Sequence, residues 1–386
     1  MTTQPAPTRI AMRDELYNQY SFIQNAAMRA GLNLIPDFSH KQELAAIDYG
    51  CSQGSNSVEP MQKTISTLPQ GASAHLVFQD TPYNDFASLN RTVDEHFSPE
   101  KAPKDVLVTL HIVPVSFYRQ VMPTAFADIG FSWSSLNYLE FPLNVQLDAT
   151  MSPQDIATAR HDAVAGAGAA DLVKLLRLRA REIKAGGYFV AAIGGQKPEA
   201  GSDTLEPSDP GVQPMQAGLM KMVALGKLTM PELMQTVLFP SHDRTVEEVK
   251  AGLDAVSDLW HVEHVEPKLI VHPAYETYQA SDKSPEALRK YASDCMVNMV
   301  SSSGWFWVDA MKGSRGPEWD GGDAFLDELT KYMIDAFVEK CPDLKFQIWS
   351  IMRAPAPPPP PHPPPPPPDD RRNKATNARY ASTSRR

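Results

Sequence analysis

Two carboxylates stand at the ends of short apolar stretches. Asp48 opens the run Asp48-Tyr49-Gly50-Cys51-Ser52-Gln53-Gly54-Ser55-Asn56-Ser57, and Asp80 opens Asp80-Thr81-Pro82-Tyr83-Asn84-Asp85-Phe86. Glycines after the first acid let the backbone approach a ligand, and the helix that follows offers free N–H donors. A dinucleotide dehydrogenase would carry GxGxxG here, with its acid at the end of the second strand only. In this chain an acid precedes the first glycine. Such an acid can hold an ammonium group, while the second can accept bonds from both hydroxyls of a ribose. Taken singly, either Asp also serves to cap a helix or a loop. Together they suit an adenosyl ligand with a cationic tail, as in S-adenosylmethionine.

Other constellations carry less. Cys51 sits inside the glycine run with no histidine placed to make it a nucleophile, so packing is its expected role. Cys51, Cys295 and Cys341 form no CxxC pair, which points to a reducing compartment and away from structural zinc. His261 and His264 have no carboxylate arrangement that would complete a metal site, and none is expected. The chain carries a net charge of −10 and its segment 354–386 carries +4, which leaves −14 on residues 1–353. An acidic body repels nucleic-acid backbones. No apolar run reaches the roughly 18 residues needed to span a bilayer, and Met1–Arg9 lacks a signal-peptide core, so a cytoplasmic protein is expected.

The elements that must position the two acids alternate along the chain. A helix is expected from an Asp14 cap to Gly31 and another over Val58–Leu68. Strands are expected at Ala45–Cys51, Ala74–Asp80, Val106–Val113, Ile129–Leu136 and Tyr188–Ile193, with a long helix over Ala163–Ile183. Strand and helix in turn predict an α/β fold, a Rossmann-like parallel sheet covered by helices. A polar loop, Gly195–Pro214, then leaves the sheet for a Met-rich helical stretch, and Trp260–His272 and Leu344–Met352 return the chain to it. This gives a cofactor-binding core over 1–195, a helical cap over 196–260 and completion of the sheet over 261–353. Residues 354–386, with twelve prolines between Pro355 and Pro368, read as a polyproline rod and a disordered basic tail. Such a tail is a ligand for a proline-reading domain or, more simply, an appended linker.

Four ordered motifs then carry a resemblance. Asp48-x-Gly-Cys-Ser-x-Gly-x-Asn56, Asp80-Thr-Pro-x-Asn-Asp85-Phe86, Val113-Pro-x-Ser116-Phe117-Tyr118 and Ser134-Ser135-Leu136-Asn137-Tyr138-Leu139 resemble the SABATH family of S-adenosylmethionine-dependent carboxyl methyltransferases. The segments Arg179–Gly187 and Pro240–Val249 also match family patterns, so the resemblance runs from about Tyr17 to Arg353. It implies a class I methyltransferase fold, a homodimer, and roles position by position. Asp48, Gly50 and Asn56 would hold the methionine tail of the cofactor, with Ser21 near its carboxylate. Asp80 would bind the ribose, Thr81 would lie against the adenosine, Ser116 would meet the adenine amino edge and Phe117 would pack on its ring. Gln24 matches a glutamine that donates to the substrate carboxylate, and Tyr17, Ser21 and Gln24 fall on one helical face.

The family's second carboxylate donor is a tryptophan. Here that place holds Tyr138, preceded by Asn137, and either of them or Trp133 would complete the clamp. Met215 from the cap and Trp307 from the Trp305-Phe306-Trp307 cluster are expected to enclose the substrate, although that cluster also suits ordinary core. The expected activity is methyl transfer to a small carboxylic acid, giving its methyl ester. The runners-up are N-methylation of a small heterocycle, which the same family architecture hosts, and cofactor binding without turnover.

Overall fold

The computed structural model describes residues 11–13, 15–145, 150–195, 212–340 and 346–357. Within them, β1 (Glu43–Tyr49), β2 (Ser73–Asp80), β3 (Leu107–Pro114), β4 (Ala127–Trp133), β5 (Ile183–Gly195), β6 (His264–Val271) and β7 (Phe346–Pro355) form one sheet in the order β3-β2-β1-β4-β5-β7-β6. All neighbours pair in parallel except β7, which runs antiparallel to β5 and β6. The central strands are buried on both faces. Leu44–Tyr49 and Ala127–Trp133 are buried throughout, as expected of strands covered by helices on either side. The edge strands β3 and β6 leave Leu107, Leu110, Leu269 and Val271 exposed.

Strand β1 has β2 on one side and β4 on the other, so the sheet order switches direction beside it. Open α/β sheets bind ligands in the crevice at the carboxyl end of such a switch. Asp48 lies near the end of β1, in register with Phe78 and Phe131, and Asp80 ends β2 opposite Pro114. The two acids therefore share one rim.

Helices cover both faces. On one, α2 (Phe22–Gly31), α3 (Ser55–Ser66) and α4 (Phe86–Phe97) bury Met28, Met61, Ile65 and Leu89 against Leu44, Ala46 and Phe131. On the other, α5 (Pro153–Glu182) and α8 (Val246–Asp254) bury Leu172, Leu176, Val249 and Leu253 against Ile47 and Phe189. A third cluster joins α6 (Val212–Ala224), α7 (Met230–Thr236), α9 (Pro273–Gln279), α10 (Pro285–Arg315) and α11 (Gly322–Lys340) through Met222, Met234, Met296, Met311 and Met333. Among the described residues no helix is long and apolar enough to cross a membrane.

Four expectations change. The first helix breaks at Ser21, whose ψ of 45° is not helical, into α1 (Leu16–Tyr20) and α2, and Asp14 lies outside the described residues. Helix α5 starts at Pro153, ten residues before the expected Ala163, because Ser152 and Asp155 form a capping box with proline in the first turn. The helical cap is not confined to 196–260. Helix α8 packs on the sheet, whereas α9–α11, expected to complete the sheet core, belong to the cap. The sheet also outlasts Arg353: Ala354 and Ala356 are buried, and the Ala356 N–H donates to the Gly187 carbonyl at 2.8 Å. Most of the expected 195–214 loop and the tail beyond 357 fall outside the described residues.

Candidate active site

The glycine run after β1 is shaped by its neighbours. Gly50 has φ +79°, and a Cβ there would stand 2.4 Å from the Ser135 Cβ, so only glycine fits this turn. Its N–H donates to the Gln79 carbonyl at 2.9 Å, and the Gln79 amide reaches across to the Val115 carbonyl at 2.5 Å. The buried Gln79 thereby ties the ends of β1, β2 and β3 together. Ser135 donates to the Tyr49 carbonyl at 2.7 Å and contacts Ser132 at 2.6 Å, which anchors the segment after β4 to the same loop.

Asp48 is 2 % exposed. Its Oδ2 accepts from the Ser57 hydroxyl at 2.6 Å, while Oδ1 has no hydrogen-bond partner among the described residues. Burial pushes its carboxyl up to about 7, against the hydrogen bond from Ser57 and with a smaller push from Asp80. Asp80 accepts from the Ser52 N–H at 2.6 Å and from the Thr81 N–H at 2.7 Å. Burial lifts it to about 6 in spite of those bonds. Both carboxylates keep free lone pairs, and both are poised to gain from a cation or from hydroxyl donors.

Ser21 and Asn56 are buried, as Asp48 is. The Asn56 amide donates to the Ser21 hydroxyl at 3.3 Å and accepts from Asn25 at 3.0 Å, so the break between α1 and α2 is what seats Ser21 on the loop. A cleft of about 220 Å³ is walled by Tyr17, Gly50, Asp80, Thr81, Ser116, Phe117, Trp133 and Tyr138, among others. The Ser116–Phe117 loop is held from beneath. Buried Arg179 donates to the Phe117 carbonyl at 2.9 Å and the Arg119 carbonyl at 3.1 Å, and its partner Glu182 accepts from the Val121 N–H at 2.5 Å. Tyr138 meets Phe239 edge-on at 6.0 Å, and Phe239 meets Phe306 at 5.2 Å, a chain of rings from the cleft wall into the cap.

The structure therefore brings Tyr17, Gly50, Asp80, Thr81, Ser116, Phe117, Trp133 and Tyr138 to one cleft, while Ser21, Asp48 and Asn56 are buried and do not line it. Four expected residues lie elsewhere. Asn137 is a bracket: its amide donates to the Gly194 carbonyl at 2.9 Å and to Asp243 at 2.5 Å, and accepts from the Gly194 N–H at 3.0 Å. With both N–H groups engaged it is no carboxylate donor. Trp307, at 2 % exposure, is core of the helical cap, and Met215 packs against the same core; neither walls the cleft. Gln24, half-buried on α2, also stands off the cleft wall and accepts from the Asn298 amide at 3.1 Å. Sequence reading missed Ser57, Gln79, Arg179, Glu182 and Asn298. Ser57 sits inside the quoted motif and Arg179 opens another, whereas Asn298 has no local signal.

The residues fit S-adenosylmethionine. The buried Asp48 Oδ1 has no hydrogen-bond partner among the described residues, and neither do the Ser52 and Ser134 hydroxyls or the Trp133 indole N–H of the residues that line the cleft. Such groups cost stability unless a ligand satisfies them.

Comparisons with known proteins agree. The family model for the SAM dependent carboxyl methyltransferase matches residues 14–303. The chain is similar to Methyltransferase FUS9 of Gibberella moniliformis, at 29% identity over 313 residues, 78% of this chain and 83% of that one. It is also similar to the salicylate carboxymethyltransferase of Clarkia breweri, at 26% identity over 177 residues, 42% of this chain and 47% of that one. A solved loganic acid methyltransferase with SAH shares the fold, with a TM-score of 0.63 and 19% identity, covering 90% of this chain and 99% of the other. A class I sheet, two rim acids and a family match over most of the chain lead to one statement: this protein belongs to the family of S-adenosylmethionine-dependent carboxyl methyltransferases.

Proposed function

We propose that the protein converts a small carboxylic acid to its methyl ester, with Asp48, Ser21 and Asn56 holding the amino-acid tail of the cofactor, Asp80 its ribose, and Thr81, Ser116 and Phe117 its adenosine. When bound, S-adenosylmethionine supplies an activated methyl group on a cationic sulfur. One observation supports the substrate class: the cleft is lined by Tyr17 and Tyr138, with Asp80 and Glu140 as its carboxylates and no histidine, lysine or cysteine among the described residues. Burial, aided by nearby Asp80, holds both phenols well above their usual range, so at neutral pH they donate hydrogen bonds and do not take protons. A carboxylic acid with a pKa near 4 arrives ionised and needs no base. The protein's work is then to align the acceptor oxygen and to keep water away. The Tyr138–Phe239–Phe306 rings supply a dry wall.

Tyr138, which lines the cleft with Trp133, is proposed as one jaw that holds the carboxylate, and Gln24, set off that wall on α2, is proposed as the other on the resemblance alone. Gln24→Ala should raise KM for the acid and lower kcat, since misplacement by about 1 Å costs roughly 100-fold, while cofactor affinity stays within twofold. Tyr138→Phe removes one hydroxyl and should also slow ester formation, by roughly 10-fold for a lost bond to a charged group. Initial rates against acid concentration for both variants check this. Parental kinetics in Gln24→Ala would refute the clamp, and methylation of neutral ring nitrogens alone would refute the substrate class. The reading includes a cytoplasmic setting, supported by the free buried thiols of Cys51 and Cys295, and a homodimer, which light scattering of the purified chain tests.

A further inference from the structure

Ser52 stands in the left-handed region, at φ +50°, although it is not glycine. A side chain there carries a steric cost, so its surroundings must hold it in place. Two bonds do so, one at each end of the residue. Its N–H donates to Asp80 Oδ2 at 2.6 Å, and its carbonyl accepts from the Asn84 amide at 2.7 Å. Asn84 is 8 % exposed, and its own N–H donates to the Thr81 carbonyl at 3.1 Å. The Thr81 N–H donates in turn to Asp80 Oδ1 at 2.7 Å. These bonds close a circuit, from Asp80 to Ser52 to Asn84 to Thr81 and back, across the loops that follow β1 and β2. We propose that Asn84 is a positioning residue for the Asp80 carboxylate: by gripping the Ser52 carbonyl it keeps Ser52 left-handed, which keeps the Ser52 N–H on Oδ2 and fixes the carboxylate for the vicinal hydroxyls of a nucleoside. This rests on the reading of Asp80 as the acceptor for the cofactor's ribose.

The direction of every bond in the circuit is set. Main-chain N–H groups supply the bonds to Asp80 and to the Thr81 carbonyl, and the Asn84 side chain meets a main-chain carbonyl, which only its nitrogen can serve as donor. Each Asp80 oxygen takes one main-chain bond, from a different loop, so the carboxylate cannot swing without breaking both. Each oxygen still keeps a lone pair for a hydroxyl. Ser52, Asp80 and Thr81 line the cleft, whereas Asn84 stands off its wall. Asn84 therefore acts through the circuit, with no contact to a ligand of its own.

The test compares binding of S-adenosylhomocysteine and of its 2′-deoxy analogue to the full-length protein, by calorimetry. The parent should prefer the ribose ligand by about 10-fold or more, the scale of one bond to a charged acceptor. In Asn84→Ala most of that preference should vanish, while the deoxy analogue binds nearly as it does to the parent. A general loss of structure would instead weaken both ligands alike. Ser52→Gly supplies the rescue, because glycine takes a positive φ at no steric cost. In the Ser52→Gly background, Asn84→Ala should change the preference by less than about twofold, and should lower the melting temperature less than it does in the parent. An undiminished preference in Asn84→Ala, equal weakening of both ligands, or the same losses with and without Ser52→Gly would each overturn the proposal. Should Asn84→Ala alone be too unstable to assay, the double variant decides: failure to recover its melting temperature has the same force. If the parent discriminates and Asn84→Ala still does, the positioning role alone fails. If the parent shows no preference for the ribose ligand, the reading of Asp80 fails and takes this inference with it.

Discussion

The free carboxylate oxygen of Asp48 sets the pH behaviour of the site. Its carboxyl, lifted by burial to about 7, and that of Asp80, lifted to about 6, are both partly protonated in the unliganded protein near neutrality. A cation and two hydroxyl donors favour the charged forms, so ligand binding should release protons. Affinity for S-adenosylmethionine should therefore rise from pH 5 to about 7.5, below the range near 7.7–8.0 where an α-amino group loses its proton. Calorimetry in buffers of different ionisation heat would read the proton release, and a flat affinity with none would contradict the assignment. Stability runs the other way. A carboxyl whose folded value lies above its unfolded one, about 3.9, contributes stability below that pH, and this is lost as pH rises through the folded value near 7. Asp48→Asn should thus melt several degrees above the parent at pH 8 without ligand, match it near pH 4, and lose most cofactor affinity. Both acids were legible in the sequence because each ends an apolar run, Asp48 ahead of a glycine-rich turn and Asp80 ahead of Thr81-Pro82. Asn137 was misread because its alignment with a family donor said nothing of the Gly194 and Asp243 groups that occupy its amide.

At the scale of elements, the site is a set of strand-end loops held by buried polar side chains. The rim positions of the two acids follow from apolar runs that alternate with helices, which is why they could be read, whereas the strand order and the antiparallel β7 depend on pairings that those runs do not encode. The cap could not be divided correctly, since α8 and α10 both show apolar faces and only packing tells which surface each covers. The start of α5 escaped because its first half is rich in alanine and glycine, with little periodicity, although the cap at Ser152 was there to find. The clearest dependence of loop on helix is that of the Ser116–Phe117 loop on α5. Arg179→Met removes two bonds to that loop and strands Glu182 in the core, which should cost about 3–5 kcal/mol in a denaturant melt. Arg179→Met with Glu182→Leu removes the stranded charge and should recover most of that stability. Cofactor affinity should not recover, because the Phe117, Arg119 and Val121 backbone groups have still lost their anchors. Recovery of both together would show that the loop holds its shape unaided.

The whole molecule is a sheet core with a helical roof, and its border with the tail can be placed to a few residues. Residues Ala354 and Pro355 complete β7 opposite Phe189 and Tyr188, and the Ala356 carbonyl accepts from the Gly186 N–H at 3.0 Å. Truncation after Pro357 should therefore leave melting temperature and activity nearly unchanged, since a polyproline rod of the kind the sequence predicts there would bury little surface. Truncation after Arg353 should lower the melting temperature by several degrees. A proline-rich composition hid this border, since Pro355 reads as the first of the rod and is the last residue of a strand. The central claim, that the cleft esterifies an ionised acid without a base, is tested most directly by product chemistry. Purified enzyme is incubated with methyl-labelled S-adenosylmethionine and a panel of aromatic and aliphatic acids from pH 6 to 8.5. The account predicts a volatile, alkali-labile methyl ester from at least one acid, with a kcat/KM that shows no loss of an enzyme base near pH 7 beyond the cofactor's own binding. Label found only in alkali-stable N-methyl product, or a rate that requires deprotonation of the acceptor, would contradict it.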